Sequence, residues 1–206
     1  SDIPYAGPPL NWVTMPDQFT WSFLEREIRA GVRGSEGRPP VFAEVGLISS
    51  HAPWTPILPV LDDWEGIGDG SVFQEWAGAG ERPEVLWLDT ERVREHYALS
   101  VDYALNAMAG YVERYVDDQT LLIALGDHQP APLITGDGAS WEVPVHVISG
   151  DPDLLLPFRE WGFLTGAIPS RAYPDRGMDY FRDWFVHAYS EPDGVRVAPP
   201  PSVVAD

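Results

Sequence analysis

The chain has 206 residues, 44 % of them hydrophobic and 12 % aromatic, with nine Trp, which is enough length and apolar content to bury a core as one large domain or most of one. Its formal charge is −19, from 32 acidic residues against 13 basic ones, all Arg and none gathered into a stripe; such a surface repels nucleic acid and anionic lipid at long range, so no nucleic-acid partner is expected. Cys and Lys are both absent, which removes thiol nucleophiles, disulfides, iron–sulfur and cysteine-zinc sites, Schiff-base chemistry and the phosphate-loop lysine.

The first ten residues, rich in Pro and Gly, lack the basic start and apolar middle of a secretory signal, and no run approaches the roughly 18 apolar residues of a membrane span. The chain is expected to be soluble as given. Asp17 stands just before a helix-like segment, 19–30, with Phe19, Phe23 and Leu24 on one side and Glu25, Arg26, Glu27 and Arg29 supplying charge, ending near 31–34. Residues 41–49, with Val41, Phe42, Val45, Leu47 and Ile48, read as a strand buried on both faces that runs into Ser50, His51, Ala52 and Pro53. Residues 56–83 mix Pro, Gly, Trp and acids without periodicity and read as a long surface excursion.

Residues 91–116 carry a helical stripe of Tyr97, Val101, Ala104, Met108, Tyr111 and Tyr115. A short apolar run at 120–125 follows, stopping at Gly126, Asp127 and His128; a third strand is expected at 143–149 and a last amphipathic helix at 178–189. Strand, long helix, strand is the pattern of a crossover unit, so the fold class is α/β, a mostly parallel sheet flanked by helices in three layers. The end at 197–206, with Pro199, Pro200 and Pro201, reads as a Pro-rich tail.

Two apolar runs each deliver a His just past their ends, His51 and His128, and parallel sheets place binding sites along that edge. Asp127 and His128 together offer a carboxylate oxygen and an imidazole nitrogen, which suit zinc or manganese better than magnesium; the same dipeptide also forms an Asx-turn with a solvated ring. His51 reads either as a ligand-contacting residue or as a packed loop residue whose ring satisfies a backbone carbonyl. His146, within a strand, reads as a satisfied core or interface residue, and His96 and His187 as surface or helix-end residues. Asp62, Asp63, Glu65 and Asp69 lack the ligand spacing of a calcium loop and read as solvated, and Trp54, Trp64, Trp76 and Trp87 read as packing residues before they read as a sugar or headgroup surface.

The order of segments resembles the alkaline phosphatase and sulfatase superfamily, and within it the lipoteichoic acid synthase-like branch of phosphoglycerol and phosphoethanolamine transferases. The residues that carry the likeness are Trp12, Asp17 and Phe19; LISSHAPW at 47–54; YALSVDY at 97–103; LLIALGDH at 121–128; and Val143-Pro144-Val145. The resemblance implies that Asp127 and His128 bind a catalytic divalent metal and that His51 contacts the phosphate of the substrate. It further implies a phospholipid-headgroup or polyol-phosphate substrate, met at the extracytoplasmic face of the cell membrane.

In that family a Thr at a helix start attacks phosphorus and, like the first acidic metal ligand, precedes the Trp…Asp…Phe segment. Only eleven residues precede Trp12. Thr14 and Thr20 do not stand at the nucleophile's place, so no catalytic nucleophile is assigned. Residues 1–11 are then a linker or upstream remnant, 12–196 the C-terminal portion of a sulfatase-like domain of a membrane-anchored parent, and the isolated chain is expected to be inactive. Two other functions fit the same residues: a non-catalytic extracytoplasmic binding module that keeps the fold, with Asp127 and His128 as turn residues, and a sulfatase-type hydrolase.

Overall fold

The structure is a computed structural model and describes residues 3–31, 39–169 and 176–190; the expected helix end at 31–34 falls partly, and the Pro-rich tail at 197–206 wholly, outside the described residues. Two compact units divide the chain, one of Ser1–Tyr115 with Ala131–Gly136 and one of Val116–Pro130 with Asp137–Asp206. No helix among the described residues is long and apolar enough to cross a membrane.

In the first unit, α1 spans Asp17–Phe23 and continues as a π-helical turn, Leu24–Arg29. The widened turn swings Glu25, expected on the charged side, into a buried place where it pairs with Arg29 at 3.2 Å and accepts the Tyr111 hydroxyl at 3.3 Å. Short α2, Pro83–Leu86, precedes the long α3, Thr90–Tyr115. α1 packs on α3, with the Trp21 and Tyr111 rings stacked at 4.5 Å. The buried line of α3 is Val93, Ser100, Tyr103, Ala107 and Tyr111, rotated from the expected stripe, which keeps only Tyr111 buried and leaves Val101, Ala104 and Met108 as its half-covered flank. The buried line can include polar Ser100 because its hydroxyl donates to the Tyr97 carbonyl at 2.7 Å and needs no outside partner.

Residues 56–83 are not a surface excursion. They bury Leu58, Trp64, Ile67 and Phe73, and a 3₁₀ turn spans Ser71–Trp76. Gly70 enters that turn at φ +88, and a Cβ there would stand 2.5 Å from the Tyr5 ring, so only glycine fits.

In the second unit, β1, Leu122–Leu125, pairs antiparallel with β2, Val145–Ile148, in the register Leu122 opposite Ile148 through Leu125 opposite Val145. Leu121, Ile123 and Val147 pack against an aromatic cluster of Phe158, Trp161 and Trp184 from α5, Leu156–Glu160, and α6, Phe181–Ser190, the latter preceded by a 3₁₀ turn at Met178–Tyr180. α4, Pro132–Thr135, belongs to the first unit.

The chain therefore mixes helices with a small antiparallel sheet. The expected three-layer arrangement around a mostly parallel sheet is not what the described residues carry. Residues 126–144, between β1 and β2, carry only the four-residue α4 and no helix long enough to cover a sheet face as a crossover does, and the Gly126 N–H donates to the Pro144 carbonyl at 3.3 Å, carrying the antiparallel pairing one step past the ladder. Residues 41–49, expected as a strand buried on both faces, join no ladder and are not buried; the Phe42 side chain is 88 % exposed.

Candidate functional site

His51 belongs to the first unit, and Asp127 and His128 to the second, so each half of the expected site has its own frame. His51 closes a turn, its N–H bonded to the Ile48 carbonyl at 3.0 Å. Its exposed ring stacks on the Trp12 indole at 4.3 Å with 22° between planes. Nδ1 lies 2.8 Å from the Ala52 carbonyl; since a carbonyl only accepts, Nδ1 carries the proton in that bond.

The loop below is held from several sides. Trp54, buried at φ +58, donates its Nε1–H to the Ser50 carbonyl at 2.9 Å and packs with Trp87, Tyr97, Leu86 and Val93. A left-handed backbone at a bulky residue is costly and persists only where the surroundings over-determine it. One of those surroundings is His96, whose Nδ1 lies 2.9 Å from the Trp54 carbonyl. Expected at the surface, His96 is half-buried and braces this loop; no signal in its own neighbourhood marks that role, because the partner is 42 residues away.

Trp12 is presented by a small turn with a Leu10–Val13 bridge and Asn11 at φ +56, and the Asn11 side-chain amide donates to the Thr55 carbonyl at 2.5 Å. The indole remains 59 % exposed.

Asp127 and His128 follow β1 beyond Gly126 and stand largely in solvent, with side chains 89 % and 69 % exposed. The His128 N–H donates to Asp127 Oδ1 at 2.9 Å, the Asx-type bond of the turn reading. At the same time His128 Nδ1 lies 2.7 Å from the Gln129 carbonyl, which fixes the proton there and turns Nε2 toward Asp127 Oδ2 at 3.5 Å. A divalent ion held tetrahedrally by one imidazole nitrogen and one carboxylate oxygen, each about 2.1 Å away, sets those atoms about 3.4 Å apart. The pair thus fits two corners of such a site. Gln129 ties the loop to the approach of β2 through its side-chain amide, which donates to the Glu142 carbonyl.

Among the described residues no group of three or more His, Asp or Glu gathers at metal-binding distance. A concavity of about 560 Å³ in the second unit is lined by Arg182, Asp183, Val186, His187 and Ser190 of α6 and includes neither Asp127 nor His128. His146 sits half-buried in β2 opposite Ala124. Asp63 and Asp69 cap the N–H groups of Gly66 and Ser71, at 2.9 and 3.0 Å, and the bond from Ser71 holds the Asp69 carboxyl below the usual carboxylate range.

Comparison of the chain with protein-family models, with curated proteins and with solved structures gave no match, so the geometry of these two loops is what stands behind any functional reading.

Proposed function

We propose that the chain is the C-terminal portion of a metal-dependent phospho-group transferase or phosphodiesterase of the phosphoglycerol or phosphoethanolamine type. It works outside the cytoplasm on a phospholipid-headgroup or polyol-phosphate substrate. The observation that supports this reading best is the Asp127–His128 pair, with Nε2 and Oδ2 3.5 Å apart, the span of two ligands on one ion. Asp127 and His128 hold manganese or zinc in preference to magnesium, because an imidazole ligand suits the former. Such an ion, when bound, neutralises charge developing on phosphate oxygens and activates the attacking hydroxyl.

His51 contacts an anionic phosphate oxygen, its ring held by Trp12 on one face and by the Ala52 carbonyl at Nδ1. No residue here is assigned as the nucleophile, and the isolated chain is inactive in this reading. Residues 41–49 take their place as a parallel strand in the sheet of a fuller three-layer domain, where Phe42 is covered.

The test is a titration of the purified chain with Mn²⁺, followed by its electron paramagnetic resonance, together with an assay on a nitrophenyl phosphodiester. Mn²⁺ binding that disappears in Asp127→Asn and His128→Ala, without turnover, is the expected result. Equal Mn²⁺ binding in both variants removes the metal assignment, and robust turnover removes the assignment of the nucleophile to a segment outside the chain.

One observation favours a second reading, a non-catalytic module keeping these residues for the turn alone: the His128 N–H to Asp127 Oδ1 bond closes the turn without any ion. Absence of Mn²⁺ binding in the wild-type chain selects it.

A further inference from the structure

The first turn of α1 presents two polar side chains with no exposed surface, Asp17 and Gln18. Each satisfies the backbone of a different loop. Gln18 acts like a strand edge toward Leu61, donating from Nε2 to its carbonyl at 2.7 Å and accepting its N–H on Oε1 at 2.8 Å. Asp17 takes the other loop: Oδ1 accepts the N–H groups of Ile48 and Ser49 at 2.9 and 2.8 Å, and the Asp17 N–H, an otherwise unused donor at the helix start, goes to Ser49 Oγ at 3.0 Å.

Ile48 then passes the constraint on, since its carbonyl receives the His51 N–H. Two hydrogen bonds therefore link the Asp17 carboxylate to the backbone of His51, and the imidazole at the end of that path meets the Trp12 ring.

A carboxylate is an expensive way to hold two amide groups. Burying one costs several kcal/mol even after relaxation, Oδ2 is buried without a hydrogen-bond partner, and no ion pair reaches Asp17 among the described residues. What the charge adds over a neutral acceptor is a shorter, stiffer grip on both N–H groups of the turn. A device of that kind suits a side chain whose place must be held more closely than stability requires.

We propose, resting on the reading of His51 as the phosphate contact, that Asp17 is the positioning residue for His51: its buried carboxylate sets the turn at 48–51 and so where the imidazole stands against Trp12.

The wild-type His51 ring protons lie over the indole and carry its ring-current shift, which reports ring position without any ligand. The experiment records the imidazole resonances of isotope-labelled chain, free and titrated with glycerol phosphate, for wild type, Asp17→Ala, Asp17→Asn, Ser49→Ala and Gln18→Ala. Asp17→Ala is expected to move the His51 signals toward free-imidazole positions and to weaken glycerol phosphate binding about 10-fold or more, the range typical of residues that orient a ligand-contacting group. Asp17→Asn, which keeps an acceptor for the two amides, restores most of both. Ser49→Ala gives a smaller displacement in the same direction and serves if Asp17→Ala does not fold.

Gln18→Ala, equally buried but gripping the other loop, lowers the melting temperature and leaves His51 in place. The proposal is overturned if the His51 signals are unmoved in Asp17→Ala and Ser49→Ala, or if Gln18→Ala moves them as far. If glycerol phosphate leaves wild-type His51 unshifted, the phosphate reading falls, while the ring-current comparison still decides whether Asp17 places the ring.

Discussion

The His51 loop and the Asp127–His128 loop are built in opposite ways. The first is braced from distant parts of the chain: Asp17 under Ile48 and Ser49, His96 on the Trp54 carbonyl, Asn11 on Thr55, and Trp12 against the imidazole. The second is held mostly by its own neighbours, with His128 bonded to Asp127 and Gln129 and one outside tie from Gln129 to Glu142. A residue that must meet a substrate oxygen in one orientation needs its ring immobilised before binding, because ordering it later subtracts from affinity. Ligands to an ion are drawn into place by the ion itself, and two adjacent residues need only the right turn to begin with.

Truncation of the cores beneath the loops separates the two regions most sharply. Phe158→Ala empties the centre of the aromatic cluster behind β1 and β2 and is expected to cost about 3–5 kcal/mol in urea unfolding followed by Trp fluorescence, with the His51 ring shift unchanged. A displaced His51 signal in that variant would break the contrast between the loops. Trp54→Ala, also about 3–5 kcal/mol, should in contrast abolish the His51 ring shift, because the indole anchors the loop through Ser50.

A smaller effect comes from His96→Ala, which leaves the Trp54 carbonyl without its partner and should cost about 1 kcal/mol by the same unfolding measurement. Asp127→Asn and His128→Ala lie at the bottom of the scale: both side chains are exposed, so each should change stability by less than about 0.5 kcal/mol while changing metal binding. A large loss of stability from either would mean that the loop is braced like its counterpart.

The pH dependence sharpens the same comparison. Burial raises the Asp17 carboxyl above its ordinary 3.8, against the opposing pull of the Ser49 and Ile48 N–H groups. A folded-state value above the unfolded one means that the contribution of Asp17 to stability is fullest below the unfolded value and is lost as pH rises through the folded one. Relative to wild type, Asp17→Asn is therefore expected to gain stability as pH rises above the ordinary carboxyl value of 3.8 in paired urea titrations; a difference that stays flat with rising pH would show the carboxyl unshifted.

Much of the element order was legible in the residues. The α3 pattern at 91–116 was found at Thr90–Tyr115, and the short apolar runs at 120–125 and 143–149 as β1 and β2. The sense of pairing was not, because an apolar run states that a strand is covered without stating by what. Residues 41–49 make the same point: Val41, Phe42, Val45, Leu47 and Ile48 have the composition of a buried strand, yet composition supplies no partner for a ladder. Asp17 was read as a marker before a helix. It is instead the first residue of α1, Pro16 holds the cap position, and the carboxylate is spent on a loop 31 and 32 residues further on.

Sequence by itself determined the periodicities, the absent chemistries and the adjacency of Asp127 and His128, since these depend on spacing along the chain and on residue type. Tertiary structure decided the antiparallel pairing of β1 with β2, the burial of Asp17 and Glu25, and the stack of Trp12 on His51. Each of these is a meeting of groups far apart in the chain, chosen by which polar atoms found partners once the apolar faces had closed.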